Sequence, residues 1–162
     1  MKLIPLTQGQ FAQVDDDDYD ELMKHKWFAH KRDNTFYAER HTTVDGRDII
    51  QKMHQFIMGD NPLKLDIDHK DGNGLNNQGC NLRFCTRSEN CMNRRSQRNS
   101  SSKHKGVSLH KKIGKWMAYI QIDGVLKHLG YFDVEDDAAR AYDVMCLKHH
   151  GDFARPNFPL ST

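Results

Sequence analysis

What this chain lacks narrows it first. No apolar run approaches the roughly 18 residues that span a bilayer. No charged-then-apolar leader opens it either, so a soluble, cytoplasmic protein with no membrane partner is expected. Cysteine is sparse: Cys80, Cys85, Cys91 and Cys146 include no Cys-x-x-Cys pair. The first three are separated by four and five residues, spacings that do not suit a structural zinc. They are expected to be reduced thiols that pack as small hydrophobes. Hydrophobic residues make up 37% of the chain against 28% charged, too few for one large core, which favours small modules.

Acidic side chains are the next shortage, and it is local. Residues 61–115 carry 12 Lys and Arg against 4 Asp and Glu, whereas residues 1–60 carry 8 against 11 and residues 116–162 carry 4 against 7. A centre of net +8 between two ends of −3 each points to a polyanionic partner for the middle of the chain.

Ahead of that centre, residues 8–14 alternate weakly and predict a strand. The carboxylates of Asp15-Asp16-Asp17-Asp18 diverge in direction rather than converging on an ion. They predict an N-cap and first turn for a helix over 19–24. Aromatic strands over 26–30 and 35–40 flank Asp33-Asn34, a hairpin turn, and Asp45-Gly46 marks another. Met53, Phe56 and Ile57 at helical spacing predict a short helix ended by Gly59. His54, on that helix, is read as a core or surface histidine. The whole segment is expected to be a small supporting sheet with a helix.

Residues 64–95 bring chemistry to the junctions of strand, loop, strand and helix. A short apolar strand ends in Asp68-His69, a Gly/Asn-rich loop follows, a second strand runs over 81–85, and a helix opened by Thr86 or Ser88 ends in arginines. Gly72, Gly74 and Gly79 suit the turns of the loop. A metal-assisted phosphodiesterase needs a base for water, a hard cation at the scissile phosphate and oxygen ligands for that cation. His69 is the natural base, because a neutral imidazole takes a proton near pH 7. Asp68 offers a charged oxygen, on the opposite strand face from His69. Asn90 adds an amide oxygen, which leaves open positions of the kind Mg²⁺ prefers. Asn81, opening the second strand, can bond the backbone across the loop and hold the His69 strand in register.

The run Asp68-His69-Lys70-Asp71-Gly72-Asn73-Gly74-Leu75-Asn76-Asn77, with Asn81-Leu82-Arg83 and Ser88-Glu89-Asn90-Cys91-Met92-Asn93-Arg94, resembles the HNH family of homing and phage endonucleases, in the variant whose third position is Asn. Lys26-Trp27, Tyr37-Ala38, His54 and Ile57-Met58-Gly59 resemble the segment that precedes the motif in phage members. The resemblance implies a ββα-metal finger that nicks or cuts double-stranded DNA in a bacterial or phage-infected cell. It implies His69 as general base, Asn81 as the loop-orienting residue, and Asp68 with Asn90 as ligands of one divalent ion, Mg²⁺ or Mn²⁺. One finger addresses one phosphate, which suits a monomer.

Residues 96–104 are polar and basic and read as a linker that tracks phosphates. Arg94, Arg95 and Arg98 are assigned to the DNA backbone, with Arg83, Arg87, Lys103, Lys105 and Lys115 extending the basic set. Beyond it, strands are predicted over 106–109, 115–122 and 125–130, with Asp123-Gly124 as a type I′ turn. A helix capped by Asp133, with Asp136 at the capping-box position, carries Ala138, Ala139, Tyr142, Met145 and Cys146 as its apolar stripe and ends at Gly151. Trp116, Ala118, Ile120 and Ile122 share the covered sheet face. Ser108, His110, Met117, Tyr119, Gln121 and His128 share the open one.

Lys105-Gly106-Val107, Gly114-Lys115-Trp116, Leu129-Gly130-Tyr131-Phe132-Asp133, Ala138-Ala139-Arg140-Ala141-Tyr142-Asp143 and Phe153-Ala154-Arg155-Pro156-Asn157-Phe158 resemble the AP2/ERF DNA-binding domain. That implies a sheet laid in the major groove, with Ser108, His110, Tyr119, Gln121 and His128 facing DNA. Plant members carry Arg and Trp at these places. The expected protein is α+β: an endonuclease module over 1–95, a linker over 96–104 and an AP2-like module over 105–159. The alternative is a non-catalytic DNA-binding regulator.

Overall fold

The computed structural model describes residues 1–32, 35–94 and 100–159. They belong to two compact units, Met1–Arg87 and Ser88–Thr162.

In the first unit, β1 (Lys2–Pro5) pairs antiparallel with β2 (Phe11–Val14). The sequence pattern does not predict β1, because only Ile4 of its four residues is buried and a single apolar residue shows no alternation. α1 (Asp16–Leu22) holds Asp16, Asp17 and Asp18 in its first turn, at the positive end of the helix dipole. Asp15 occupies the N-cap but makes no side-chain cap bond. Its carboxylate reaches a distant loop instead, accepting from Gln78 Nε2 at 3.1 Å and from Gly79 N at 2.8 Å.

β3 (Phe28–Arg32), β4 (Thr35–Val44) and β5 (Arg47–Lys52) form an antiparallel sheet in that order. The expected turn at Asp33-Asn34 lies outside the described residues. At the next turn, where Asp45-Gly46 was expected to reverse the chain, Asp45 and Gly46 have φ of 50° and 74° and Val44 faces Arg47, a two-residue hairpin with both central residues left-handed. α2 (Met53–Met58) ends at Gly59, φ 64°. The core of this unit gathers Ile4, Ala12, Val14, Leu22, Trp27, Ala38, Met53 and Leu75. Trp27 keeps its indole N–H satisfied on Leu22 O at 2.8 Å. β6 (Asp66–His69) and β7 (Leu82–Cys85) make a two-stranded antiparallel ladder, and α3 (Arg87–Met92) follows β7 in the chain.

In the second unit, β8 (Val107–His110), β9 (Lys115–Ile122) and β10 (Val125–Phe132) form an antiparallel sheet in the order β10-β9-β8. Asp123 and Gly124 turn the β9–β10 hairpin with φ of 50° and 79°. α4 (Glu135–His150) covers one sheet face. Ala138, Ala139, Tyr142 and Cys146 are buried there with Val107, Ala118, Ile120 and Ile122. No helix among the described residues is long and apolar enough to cross a membrane.

The start of α4 departs from expectation. Its N-cap is Val134, with no side-chain cap bond, and Asp133 pairs with Lys115 at 3.1 Å on the surface. The first-turn carboxylates hold the preceding segment instead: Ser102 Oγ donates to Glu135 at 2.6 Å, and His104 Nε2 lies 3.0 Å from Asp136 Oδ1. Ser102 and His104 are buried, so this end of the basic segment packs as part of the second unit. The chain's far end is tied down by Asp143, whose carboxylate accepts from Asn157 N, Asn157 Nδ2 and Phe158 N at 2.7, 3.0 and 2.9 Å.

Candidate active site

Register decides which side chains meet on the β6–β7 ladder. It sets Asp68 opposite Arg83 and His69 opposite Leu82. Neighbouring strand residues point to opposite faces, so Asp68 and His69 have different surroundings although both are buried, at 6% and 5% exposure. Asp68 Oδ2 accepts from Arg83 Nε at 2.9 Å and from Arg83 Nη2 at 2.6 Å. Arg83, expected at the DNA backbone, is therefore engaged with Asp68, because the ladder places the two directly across from each other.

His69 lies among rings. Its imidazole meets that of His54 edge to face at 4.9 Å between centroids, and the Tyr37 ring lies 5.8 Å from each. Its Nε2 is 3.3 Å from Oδ1 of Asn77, a residue with no exposed surface. Burial holds the His69 pKa below the usual imidazole value, although the Asn77 bond and the charges of Asp71 and Asp68 oppose the shift. The ring is thus neutral near pH 7. His54 is buried too; burial first, then the neighbouring His69 and Lys52 charges, push it down to about 3.

This has a consequence for acid stability. His54 protonates near 6.5 in the unfolded chain but only near 3 in the folded one, so the unfolded state binds more protons between those values. Its contribution is complete above the unfolded pKa and is lost as pH falls, by at most about 1.4 kcal/mol per pH unit. Urea titrations of a Trp116→Phe background, in which Trp27 reports the first unit, should show this loss. His54→Phe should flatten it, and an unchanged slope would contradict the account.

The loop joining β6 to β7 is Gly/Asn-rich in sequence yet fixed in place. Leu75 is buried in the core of the first unit, a burial that stabilises by about 1.5–3 kcal/mol. Gln13 brackets it on β2: Gln13 N donates to Leu75 O and Asn77 N donates to Gln13 O, both at 2.8 Å. Gly74 N donates to Thr35 Oγ1 at 3.0 Å, and a Cβ on Gly74 would lie 2.5 Å from Phe36 O. Glycine is needed there for close approach rather than for a turn. Asn81 ties the loop ends: Oδ1 accepts from Asp71 N at 3.1 Å, while Nδ2 donates to Asp71 Oδ1 at 3.1 Å and to Asn76 O at 2.8 Å. Burial would raise the Asp71 pKa, but bonds from Asn73 N, Asn76 and Asn81 prevail and hold it low.

Asn90 is half-buried on α3, and Arg87, Arg94 and Lys103 are exposed. Arg95 and Arg98 lie outside the described residues. Lys105 is half-buried: its ammonium donates to Met92 O, and burial pushes its pKa down to about 8. Strand alternation and register put Ser108, His110, Tyr119, Gln121 and His128 on the open face of the β8–β10 sheet. Tyr131, missed in the sequence, shares that face. It is 47% exposed, with the His128 and His110 rings 4.6 and 5.6 Å away. Among the described residues no group of three or more His, Cys, Asp or Glu side chains converges as a metal cluster.

A family model described as HNH endonuclease matches residues 54–92, from the buried His54 through α3. A protein of Acanthamoeba polyphaga mimivirus described as an uncharacterized HNH endonuclease is 31% identical over 162 residues, covering 96% of this chain and 79% of that protein. The chain belongs to the HNH endonuclease family and is a nuclease. A second similarity is partial. APETALA2-like protein 2 of Oryza sativa subsp. indica is 41% identical over 68 residues, 42% of this chain but 16% of that protein. An AP2-like ethylene-responsive transcription factor of Arabidopsis thaliana is 39% identical over 67 residues, 41% of this chain and 14% of its own length.

Proposed function

We propose that the chain is a divalent-metal-dependent endonuclease of double-stranded DNA, acting in the cytoplasm as a monomer. In this reading β6, β7 and α3 form a ββα-metal finger that an AP2-like module delivers to its target. The observation that carries it is a buried imidazole, His69, one position from a buried carboxylate, Asp68, on a two-stranded ladder braced by the loop between them.

The residues suit a hard cation. Asp68 supplies a carboxylate and Asn90 an amide oxygen, the donors that Mg²⁺ or Mn²⁺ accepts, and the Arg83 bonds on Oδ2 orient the carboxylate. Such an ion, when bound, supplies charge stabilisation at the scissile phosphate and its leaving oxygen. The proton step belongs to His69, which takes the proton of the water that attacks phosphorus as one P–O ester bond breaks. Binding itself is assigned to Arg87, Arg94 and Lys103, and to the open sheet face with Ser108, His110, Tyr119, Gln121 and His128. Phosphate contacts of this kind make affinity fall steeply with salt.

A supercoiled-plasmid assay tests the reading. Nicked or linear product is expected with Mg²⁺, none with EDTA, and recovery when Mg²⁺ is restored. Equal scission in EDTA would sink the metal requirement, and binding without scission in every divalent ion would sink the catalytic assignment.

A further inference from the structure

We infer that Asn77 is a positioning residue that sets which nitrogen of His69 acts as the base. Asn77 Nδ2 donates to Leu75 O at 3.2 Å, and that carbonyl is itself held by Gln13 N at 2.8 Å and by the Leu75 side chain in the core. A flipped Asn77 amide would set two acceptor oxygens against each other, so the amide has one permitted orientation. In it, Oδ1 points at His69 Nε2, 3.3 Å away, and an amide oxygen can only accept. The hydrogen therefore sits on Nε2. In a neutral imidazole this makes Nδ1 the nitrogen with the lone pair, the one able to take a proton from water. The His54 and Tyr37 rings hinder rotation of the imidazole out of this arrangement.

Asn77 is distinct from Asn81, whose side chain ties the loop ends through Asp71 and Asn76. Its placement comes from the supporting strand: Asn77 N donates to Gln13 O on β2. Residues from outside the motif thus fix the chemistry within it. The inference rests on His69 being the general base, and its test separates the two.

Full-length protein labelled with ¹⁵N-histidine, free of metal and at a pH where the ring is neutral, is examined by long-range ¹H–¹⁵N correlation. The His69 signals are identified by their loss in His69→Gln. The expected pattern is the Nε2–H tautomer in the wild type and a mixture, or Nδ1–H, in Asn77→Leu. On plasmid substrate with Mg²⁺, Asn77→Leu should lower kcat by about 10–100-fold, the range for residues that orient a functional group, with KM nearly unchanged. An Nδ1–H tautomer in the wild type overturns the inference, even if Asn77→Leu fails to fold. So does an unaltered kcat in a folded Asn77→Leu. A wild-type protein that shows Nε2–H but cleaves no DNA would instead overturn the general-base reading.

Discussion

Replacing His69 with alanine is expected to slow strand scission by roughly 10²–10⁴-fold, the contribution of a positioned general base, while duplex binding is kept. The two readouts separate because binding is assigned to the exposed Arg87, Arg94 and Lys103 and to the open sheet face, whereas His69 is buried. Truncation has a structural cost as well. The imidazole packs against His54 and Tyr37, and alanine would leave a hole among them. A His69→Gln variant, which fills more of that space but is not a base near neutral pH, answers this: it should match His69→Ala in activity and lie closer to wild type in stability. Plasmid nicking with Mg²⁺, gel-shift binding at fixed salt and urea midpoints together decide the matter. Scission by either variant within a few-fold of wild type would remove His69 from the proton step.

The candidate catalytic segment was legible because its order is covalent. Strand, loop, strand and helix follow one another between Asp66 and Met92, and period-2 alternation alone separates Asp68 from His69. The Asp45-Gly46 and Asp123-Gly124 hairpins were legible for a similar reason, since their backbone requirement is local. What the sequence hid depends on pairing between distant residues. Arg83 counts as one basic residue among twelve until the register sets it across from Asp68. Asp15 reads as a helix cap until the fold brings the loop within reach of its carboxylate, 63 positions along, at Gln78. Asn77 sits in an Asn-Asn doublet of a glycine-rich loop, a context that suggests solvent exposure. It is buried because Leu75, two residues earlier, is anchored in the core. Asp133 is the most available cap by residue type, yet the first-turn carboxylates of α4 already bind Ser102 and His104.

Gly106→Ala is expected to destabilise the second unit by roughly 2–4 kcal/mol, combining overpacking with a strained backbone. An added Cβ would lie 2.1 Å from the ring of Tyr142 and 2.6 Å from Tyr119 O, at a residue whose φ is +72°. Neither neighbour can give way cheaply. Tyr142 is buried in the contact between α4 and the sheet, and Tyr119 belongs to the central strand, its N–H donating to Gly106 O at 2.8 Å. Gly124→Ala is the matched control, because Gly124 has φ of +79° but nothing within 4 Å of the added carbon. That variant should lose only about 1 kcal/mol, the cost of a left-handed backbone for alanine. Hydrogen exchange on full-length protein gives the readout by segment. In Gly106→Ala, protection should fall across β8, β9 and α4, while the amides of the β6–β7 ladder keep theirs. Equal losses in the two variants would show that backbone conformation alone, and not the packing of Tyr142 over Gly106, accounts for the effect.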